Sequence, residues 1–239
     1  MKKGLGLFLI LGMMFLVSGC YTTGLSTRET GGFNYSNFVY GLYDDQSQTK
    51  DVIKSIKRPI KLAVAQVGES APPKSVLEKF TQERSLISKV MELPAGGAES
   101  NYYNNNQNQN NIQEMEKRMQ KMRQLAKDLG ADYLFLFGGS ADVGEAQSWL
   151  GFFDITMIGM FVIPSQKIMA EGKAAGALID VETGRVVFTV NAQSNLDQNA
   201  TTYNLYGKRD ETLIKLRDTL VETLTEQFFQ KLRTFDGEI

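Results

Sequence analysis

The chain of 239 residues has few side chains able to do chemistry. Histidine is absent, and Cys20 is the single cysteine. Without histidine there is no Ser-His-Asp triad, no imidazole metal ligand and no common general base. The carboxylates Asp142, Glu145 and Asp154 lie close together in sequence, and paired acids can hydrolyse glycosides. Their spacing is not distinctive, so solvated acids in loops are the favoured interpretation, and no enzyme activity is predicted.

Cys20 ends the stretch Leu16–Cys20, which reads Leu-Val-Ser-Gly-Cys and resembles the lipobox of bacterial lipoproteins. Lys2 and Lys3 precede an apolar run, Leu5–Val17. This run is too short to span a membrane and has the length of a signal-peptide core. We therefore predict a lipoprotein signal peptide over residues 1–19, rather than an ordinary secretory signal with an incidental cysteine.

The lipobox resemblance implies that Cys20 receives a diacylglyceryl thioether and an amide-linked acyl chain such as palmitate. Several chains, at about 0.8 kcal/mol per buried CH₂, give a stable membrane anchor. No thiol would then remain for a disulfide, a zinc site or a nucleophile, and no other cofactor or metal is expected. Tyr21 stands where an aspartate would retain a lipoprotein at the inner membrane. The expected location is the outer membrane of the cell envelope, facing the periplasm.

Charge argues against nucleic acid as a partner. The chain has 26 basic and 27 acidic residues, and removal of the signal peptide with Lys2 and Lys3 leaves a net charge of −3. A mildly acidic protein has no global attraction to a polyanion. The hydrophobic content of 42 % is normal for a chain that buries a core.

We predict a tether over residues 20–58 and a single domain over residues 59–239, interrupted by a low-complexity loop at 95–111. The tether is polar, yet it carries a cluster of aromatic residues, which is unusual for a linker. The cluster comprises Phe33, Tyr35, Phe38, Tyr40 and Tyr43. Packing of these rings on the same domain is favoured, and docking on a neighbour is the alternative.

The first half of the domain alternates strands and helices. The compact run Ile60–Val67 predicts a buried strand, and a helix capped by Ser75 follows. The helical stripe continues to about Leu93, although part of Leu86–Leu93 could instead form a second strand. Ile112–Leu129 predicts a helix with its methionines and leucines in the core, ended by Gly130.

The second half is predicted to be a meander of strands and a closing helix. Ala131–Ala141 reads as a strand beside Ile60–Val67. Lys167–Val181 and Val186–Asn195 read as a hairpin around a tight turn at Gly184. A polar loop at 195–207 leads to a long helix over 210–235 whose buried face is Leu213, Leu216, Leu220, Leu224, Phe228 and Leu232. The fold class is thus α/β (α+β), a mixed sheet with an antiparallel meander packed by three main helices.

Two motifs in this order resemble known families. Leu129–Leu134 (LGADYL) and Ala177–Val186 (ALIDVETGRV) are similar to motifs of the TolB amino-terminal-like and curli-secretion (CsgG-like) lipoproteins. The resemblance spans about Pro59 to Phe235 and implies a fold rather than a reaction. It also implies a role in envelope secretion, surface assembly or the activation of wall-building enzymes.

The apolar segment Trp149–Ile163 is the candidate contact surface. A buried central strand is favoured for Phe152–Ile163, a partner or subunit contact comes second, and membrane insertion third. The residues for partner or membrane contact are Trp149, Phe152, Phe153, Ile155, Met157, Ile158, Met160 and Phe161.

The sequence therefore predicts a non-enzymatic, lipid-anchored envelope protein that binds a protein partner or itself and assists an envelope machine. The alternative is an oligomeric secretion-channel component like the curli secretion lipoprotein.

Overall fold

Strand β1 (Ile60–Gln66) lies inside a five-stranded sheet. The computed structural model describes residues 56–67, 70–94, 108–148, 150 and 159–235. Four consecutive residues of β1 are buried, because both faces of this strand are covered by other elements. It pairs in parallel with β2 (Ile87–Glu92) on one side and with β3 (Tyr133–Gln147) on the other. The predicted buried strand and its neighbour at Tyr133 are confirmed.

The sheet has the strand order β2-β1-β3-β4-β5. Strands β4 (Gln166–Asp180) and β5 (Val186–Ala200) continue it as an antiparallel meander from β3. The helices are α1 (Lys74–Gln82), α2 (Asn108–Asp128), the short α3 (Gly159–Val162) and α4 (Leu205–Thr234). The predicted α/β class, the mixed sheet and the three main helices are confirmed.

Helix α4 and helix α1 cover one face of the sheet. The phenylalanines Phe80, Phe135 and Phe228 are fully buried there, with centroid distances of 4.6–5.7 Å between their rings. The predicted leucine face of α4 is confirmed from Leu216 to Leu232, while Leu213 is partly buried. Burying one such side chain contributes about 1.5–3 kcal/mol, so this layer supplies much of the core.

Helix α2 covers the opposite face, over the half of the sheet that contains β1. Met119 and Met122 pack against this second apolar cluster, and Ala126 is fully buried. Leu125 and Leu129 are 37 % and 45 % exposed, so their predicted place in the core is wrong. Ala126 is the residue at this end of the helix that faces the sheet, whereas the two leucines lie on its more exposed sides.

Two predicted boundaries near α1 are wrong. The helix ends at Gln82, and Ile87–Glu92 is strand β2, so the alternative of a second strand is the observed one. Ser75 does not cap α1, since the helix begins at Lys74 after Pro73 and no side-chain cap is formed. The carbonyl of Pro73 accepts the first helical N–H groups directly.

The predicted polar loop at 195–207 is also wrong in its first part. Strand β5 runs to Ala200 and helix α4 starts at Leu205. Leu196 and Ala200 face α4, whereas Asn195, Asp197 and Asn199 are exposed on the other face. A sheet face in water needs no apolar residues, so every second position could be polar. Strand β3 likewise extends beyond the predicted end, to Gln147.

The segment Phe152–Ile163 does not form a buried strand where the structure describes it. Gly159–Val162 is a helical turn, α3, in which Phe161 and Val162 are exposed. β4 pairs instead with β3 and β5 along its whole length. Residues 151–158 lie outside the described residues.

The aspartates of the two family-like motifs accept hydrogen bonds at one end of the sheet. The Asp132 carboxylate accepts the backbone N–H of Lys61 at 2.9 Å, at the start of β1. The Asp180 carboxylate accepts the N–H and the hydroxyl of Thr183, in the turn where Gly184 has φ +78°. Burial, followed by these two carboxylates, raises the pKa of Tyr133. The motifs therefore serve the turn and the strand start.

Gly176 tests the packing of the main core. A Cβ at this position would lie 2.6 Å from the Phe135 ring, which is fully buried and cannot move aside. We expect Gly176→Ala to lower the free energy of unfolding by about 1–3 kcal/mol in a denaturant titration.

The matched control is Gly207→Ala in α4, where an added Cβ meets nothing within 4 Å. This substitution should raise the free energy of unfolding by up to about 1 kcal/mol, because alanine favours a helix. Equal destabilisation by both variants would contradict the observed core.

Candidate functional site

An exposed apolar patch lies at the end of the sheet where β3 and β5 finish and β4 begins. It consists of Phe161, Val162, Tyr203 and Tyr206, and we call it the distal patch. Their exposed fractions are 50 %, 70 %, 69 % and 75 %. A group of exposed aromatic side chains at one place indicates an interaction surface more strongly than scattered apolar residues do.

Backbone contacts hold the distal patch in place. The rings of Phe161 and Tyr203 pack with centroids 4.5 Å apart, and the Tyr203 N–H donates to the Met160 carbonyl at 3.2 Å. Below them Ser165 is fully buried, and its hydroxyl lies 3.2 Å from that of Thr202. Helix α3 with the turn that follows it is thereby joined to the turn after β5, so the two aromatic rings are fixed before any partner binds.

The turn from β5 into α4 is built by side chains that return to the backbone. The Asn204 side-chain oxygen accepts the Thr201 N–H at 2.9 Å, and the Thr201 hydroxyl accepts the Asn204 N–H at 3.3 Å. Threonine and asparagine favour such local contacts over regular structure. This reciprocal pair turns the chain so that Tyr203 and Tyr206 fall on the same end of the molecule.

Charged residues of the first turns of α4 surround the patch in balanced numbers. Lys208 and Lys215 each donate to the carboxylate of Glu211 at 2.7 Å, and these hydrogen bonds lower the pKa of Glu211 to about 2. Arg209 pairs with Glu145 of β3 at 3.0 Å. The rim of the patch is therefore close to neutral and offers no excess of positive charge.

The start of the described domain lies at the other end of α4. The Arg58 guanidinium donates to the carbonyls of Leu232 and Arg233, at 3.1 and 2.6 Å. Helix α4 has 30 residues, or about 45 Å of length, and Tyr206 lies in its first turn. Ile56 and the distal patch therefore lie at opposite poles.

Only part of the predicted contact surface can be compared with the structure. Phe161 belongs to the distal patch, and Met160 is partly buried beneath it. Cys20, Trp149, Phe152, Phe153, Ile155, Met157 and Ile158 lie outside the described residues. Tyr203 and Tyr206 were missed, because they fall in a stretch that reads as a polar loop. Two tyrosines among threonines and asparagines were the available signal.

The candidate carboxylates do not converge. Asp142 and Glu145 are three residues apart on β3, so their side chains leave opposite faces of the sheet. Asp142 is exposed, Glu145 is held by Arg209, and Asp154 lies outside the described residues. Within the described ranges, no three acidic, histidine or cysteine residues are grouped to hold a metal ion. None of the described helices is long and apolar enough to cross a membrane.

Comparisons with known proteins show no close relative. Neither a protein-family model nor a curated protein matches the sequence. Among solved structures, the chain is similar to the PelC dodecamer from Paraburkholderia phytofirmans, with 12 % identity, 80 % of this chain and 93 % of the other covered, and a TM-score of 0.28. For lipoprotein GNA1162 from Neisseria meningitidis the identity is 11 %, the coverages 67 % and 99 %, and the TM-score 0.29.

A third similar structure is a Helicobacter pylori protein described as a homologue of a neuraminyllactose-binding hemagglutinin. Its identity is 10 %, the coverages are 77 % and 88 %, and the TM-score is 0.33. At TM-scores this far below 0.5, these similarities do not indicate a function for the chain.

The charge network beside the patch gives a pH prediction. Because the pKa of Glu211 lies below its ordinary value in the folded protein, its charge stabilises the fold above that ordinary value. This contribution is lost as the pH falls toward about 2. Replacing both lysines, as Lys208→Met with Lys215→Met, should return the pKa toward the ordinary value in an NMR titration of the carboxylate.

The control is Lys127→Met at the end of α2, which should leave the Glu211 titration unchanged. An ordinary Glu211 pKa in the unaltered protein would contradict the observed network.

Proposed function

We propose that this chain is a lipid-anchored protein of the bacterial cell envelope that acts by binding another protein, and not by catalysis. The observation that carries the binding proposal is the distal patch. The anchor rests on Cys20 in its lipobox-like stretch, and the outer membrane facing the periplasm is the proposed location. In this role the protein would be an accessory or assembly factor for an envelope machine.

Protein is the favoured occupant of the distal patch for two reasons. Aromatic side chains that are already fixed bind with little further loss of entropy, and tyrosine is enriched at the centres of protein interfaces. The near-neutral rim formed by Lys208, Arg209, Asp210 and Glu211 gives no attraction to anionic lipid head groups. Phe161 can thus insert into a partner, while the hydroxyl groups of the two tyrosines stay in contact with water at the rim of the interface.

The absence of catalysis is part of the proposal. It is supported by the lack of histidine and by the opposite directions of Asp142 and Glu145. If Cys20 is acylated during maturation, the protein has no free thiol that could act as a nucleophile.

The secretion-channel alternative requires a hairpin that enters the membrane. Strand β4, which follows the candidate contact segment Trp149–Ile163 and would be its partner in such a hairpin, is paired on both sides, and its Ile168 and Ala170 pack under α4. Insertion would break these contacts. Leakage of liposomes caused by the purified chain, together with assembly into a detergent-requiring ring, would favour the channel over the accessory role.

The anchor is tested by Cys20→Ser. We expect the variant to move from the membrane fraction to the soluble fraction after cell lysis, with its folded domain intact, because no acyl chain can be attached. The control Ser26→Ala should stay membrane-bound. If the serine variant remained on the membrane and was processed as before, the anchor would be wrong, and Trp149–Ile163 would become the main candidate for membrane contact.

The distal patch is tested by Phe161→Ser combined with Tyr206→Ser in the anchored protein. We expect a protein captured by crosslinking in intact cells to bind this variant at least about thirtyfold more weakly, since two central aromatic contacts are removed. The control is Ile214→Ser, which removes a side chain that is also exposed, at 61 %, but lies outside the patch. Equal capture by all three proteins would contradict the proposal.

A further inference from the structure

The outer edge of β5 has two parts: backbone groups in its first half bind side chains of α4, and those in its second half do not. Strand β5 is the last strand, and α4 closes its first half with two side chains. Lys231 donates to the Thr189 carbonyl at 2.6 Å, and the Gln227 side-chain oxygen accepts the Asn191 N–H at 3.3 Å. Backbone groups of odd-numbered residues in this strand therefore point away from β4.

The same alternation continues to the end of β5, because its register with β4 is unbroken from Phe188 to Ala200. The outward N–H and C=O groups there belong to Gln193, Asn195, Asp197 and Asn199. Within the described part of the chain, these groups have no hydrogen-bond partner. An open row of strand backbone is a template for one more strand.

The open edge leads into the distal patch. Asn199 is followed four residues later by Tyr203, whose ring packs on Phe161. An extended segment paired with the edge would thus meet aromatic side chains at its far end. The chemistry that fits is a strand rich in aromatic and β-branched residues.

The tether contains such a segment. Phe38, Tyr40 and Leu42 recur at every second position, with Val39 between them, which is the period of a strand. Aromatic and β-branched residues fit a pleated surface, whereas a solvated linker has few of them. The stretch Phe33–Tyr43 has five aromatic residues and is the one part of the tether with this composition.

We propose that Phe33–Tyr43 adds to the open edge of β5 of its own chain as a sixth, antiparallel strand. The direction follows from the connection, since the described domain begins at Ile56, at the pole where β5 starts. Tyr43 is nearer to Ile56 than Phe33 is, so the segment would run from the distal patch toward the pole of Ile56. This direction is antiparallel to that of β5.

The connection is long enough. Through the strand pairings, Gln193 lies nine residues along the strand direction from Ile60, roughly 30 Å, and four strand spacings separate β1 from a strand added to β5, roughly 19 Å. The straight-line span from Ile60 is therefore about 36 Å. The 17 residues from Tyr43 to Ile60 reach about 56 Å when extended.

Docking would decide where the anchor leaves the domain. Phe33 would lie at the distal end of β5, so Cys20 would follow from that pole, within 13 residues. The distal patch would then be held toward the membrane side, where a membrane-bound partner is within reach.

Amide hydrogen exchange in the full chain carrying Cys20→Ser tests this inference. We expect the amides of Gln193, Asn195, Asp197 and Asn199 to exchange at least about tenfold faster when residues 33–43 are replaced by a Gly-Ser sequence of equal length. The amides of Ser194, Leu196 and Gln198 point toward β4 and should not change, which also shows that the variant is folded. Replacing residues 21–31 in the same way is the matched control and should have no effect.

A shortened connection separates the segment of the same chain from that of a second copy. Deleting residues 45–53 leaves eight residues between Tyr43 and Ile60, with a reach of about 27 Å, so protection of the four outward amides should be lost. A Gly-Ser replacement of residues 45–53 should keep it. The inference is overturned if the outward amides exchange equally fast with and without Phe33–Tyr43. It is also overturned if protection survives the deletion or rises with protein concentration, as pairing between two copies requires.

Discussion

The packing of α4 along β3, β4 and β5 is the contact on which the other features depend. The helix runs the length of the long strands, and its leucine and phenylalanine face fits them because Gly172 leaves room for Leu216 and Leu220. Its last turns bind Arg58 and close the first half of the β5 edge. Its first turn supplies Tyr206 to the distal patch. The same helix therefore fixes where the domain begins, which part of the edge is open and where the aromatic residues are exposed.

This arrangement separates stability from binding. The residues between α4 and the sheet are apolar and fully buried, as Phe80, Phe135 and Phe228 are. At the distal pole the three strands extend beyond the cover of α2, and their outer face is polar, with Lys167 paired to Asp197 at 2.7 Å. Solvated surface of this kind tolerates an exposed edge and an aromatic patch without weakening the core. The features available for recognition thus lie on solvated surface outside the buried core.

Most of the fold could be predicted from the sequence because its main elements have strong periodicity. The leucine spacing of α4 and the hairpin around Gly184 are local signals, and β1 is a short run of buried residues. The end of β5 could not be predicted, since Asn195, Asp197 and Asn199 are polar in a strand with one face in water. The same limit applies to β2, where Ile87 and Met91 satisfy a helical spacing as well as a strand.

The candidate site was only partly predictable for a different reason. Phe161 was expected as a contact residue from its apolar surroundings. Tyr203 and Tyr206 join it only because the turn at Asn204 brings β5 and α4 to the same pole as α3, and no sequence pattern spans the 42 residues from Phe161 to Tyr203. The carboxylates show the converse case: Asp142 and Glu145 are neighbours in sequence and are separated by the sheet.

Site-specific photocrosslinking in intact cells tests the central claim that the distal patch binds a protein. A photoreactive residue would be placed at Tyr203, at the centre of the patch, and separately at Asp218, on an exposed part of α4. We expect a discrete protein adduct from position 203 and none from position 218. Adducts of lipid alone at position 203, or the same protein adducts from both positions, would contradict it.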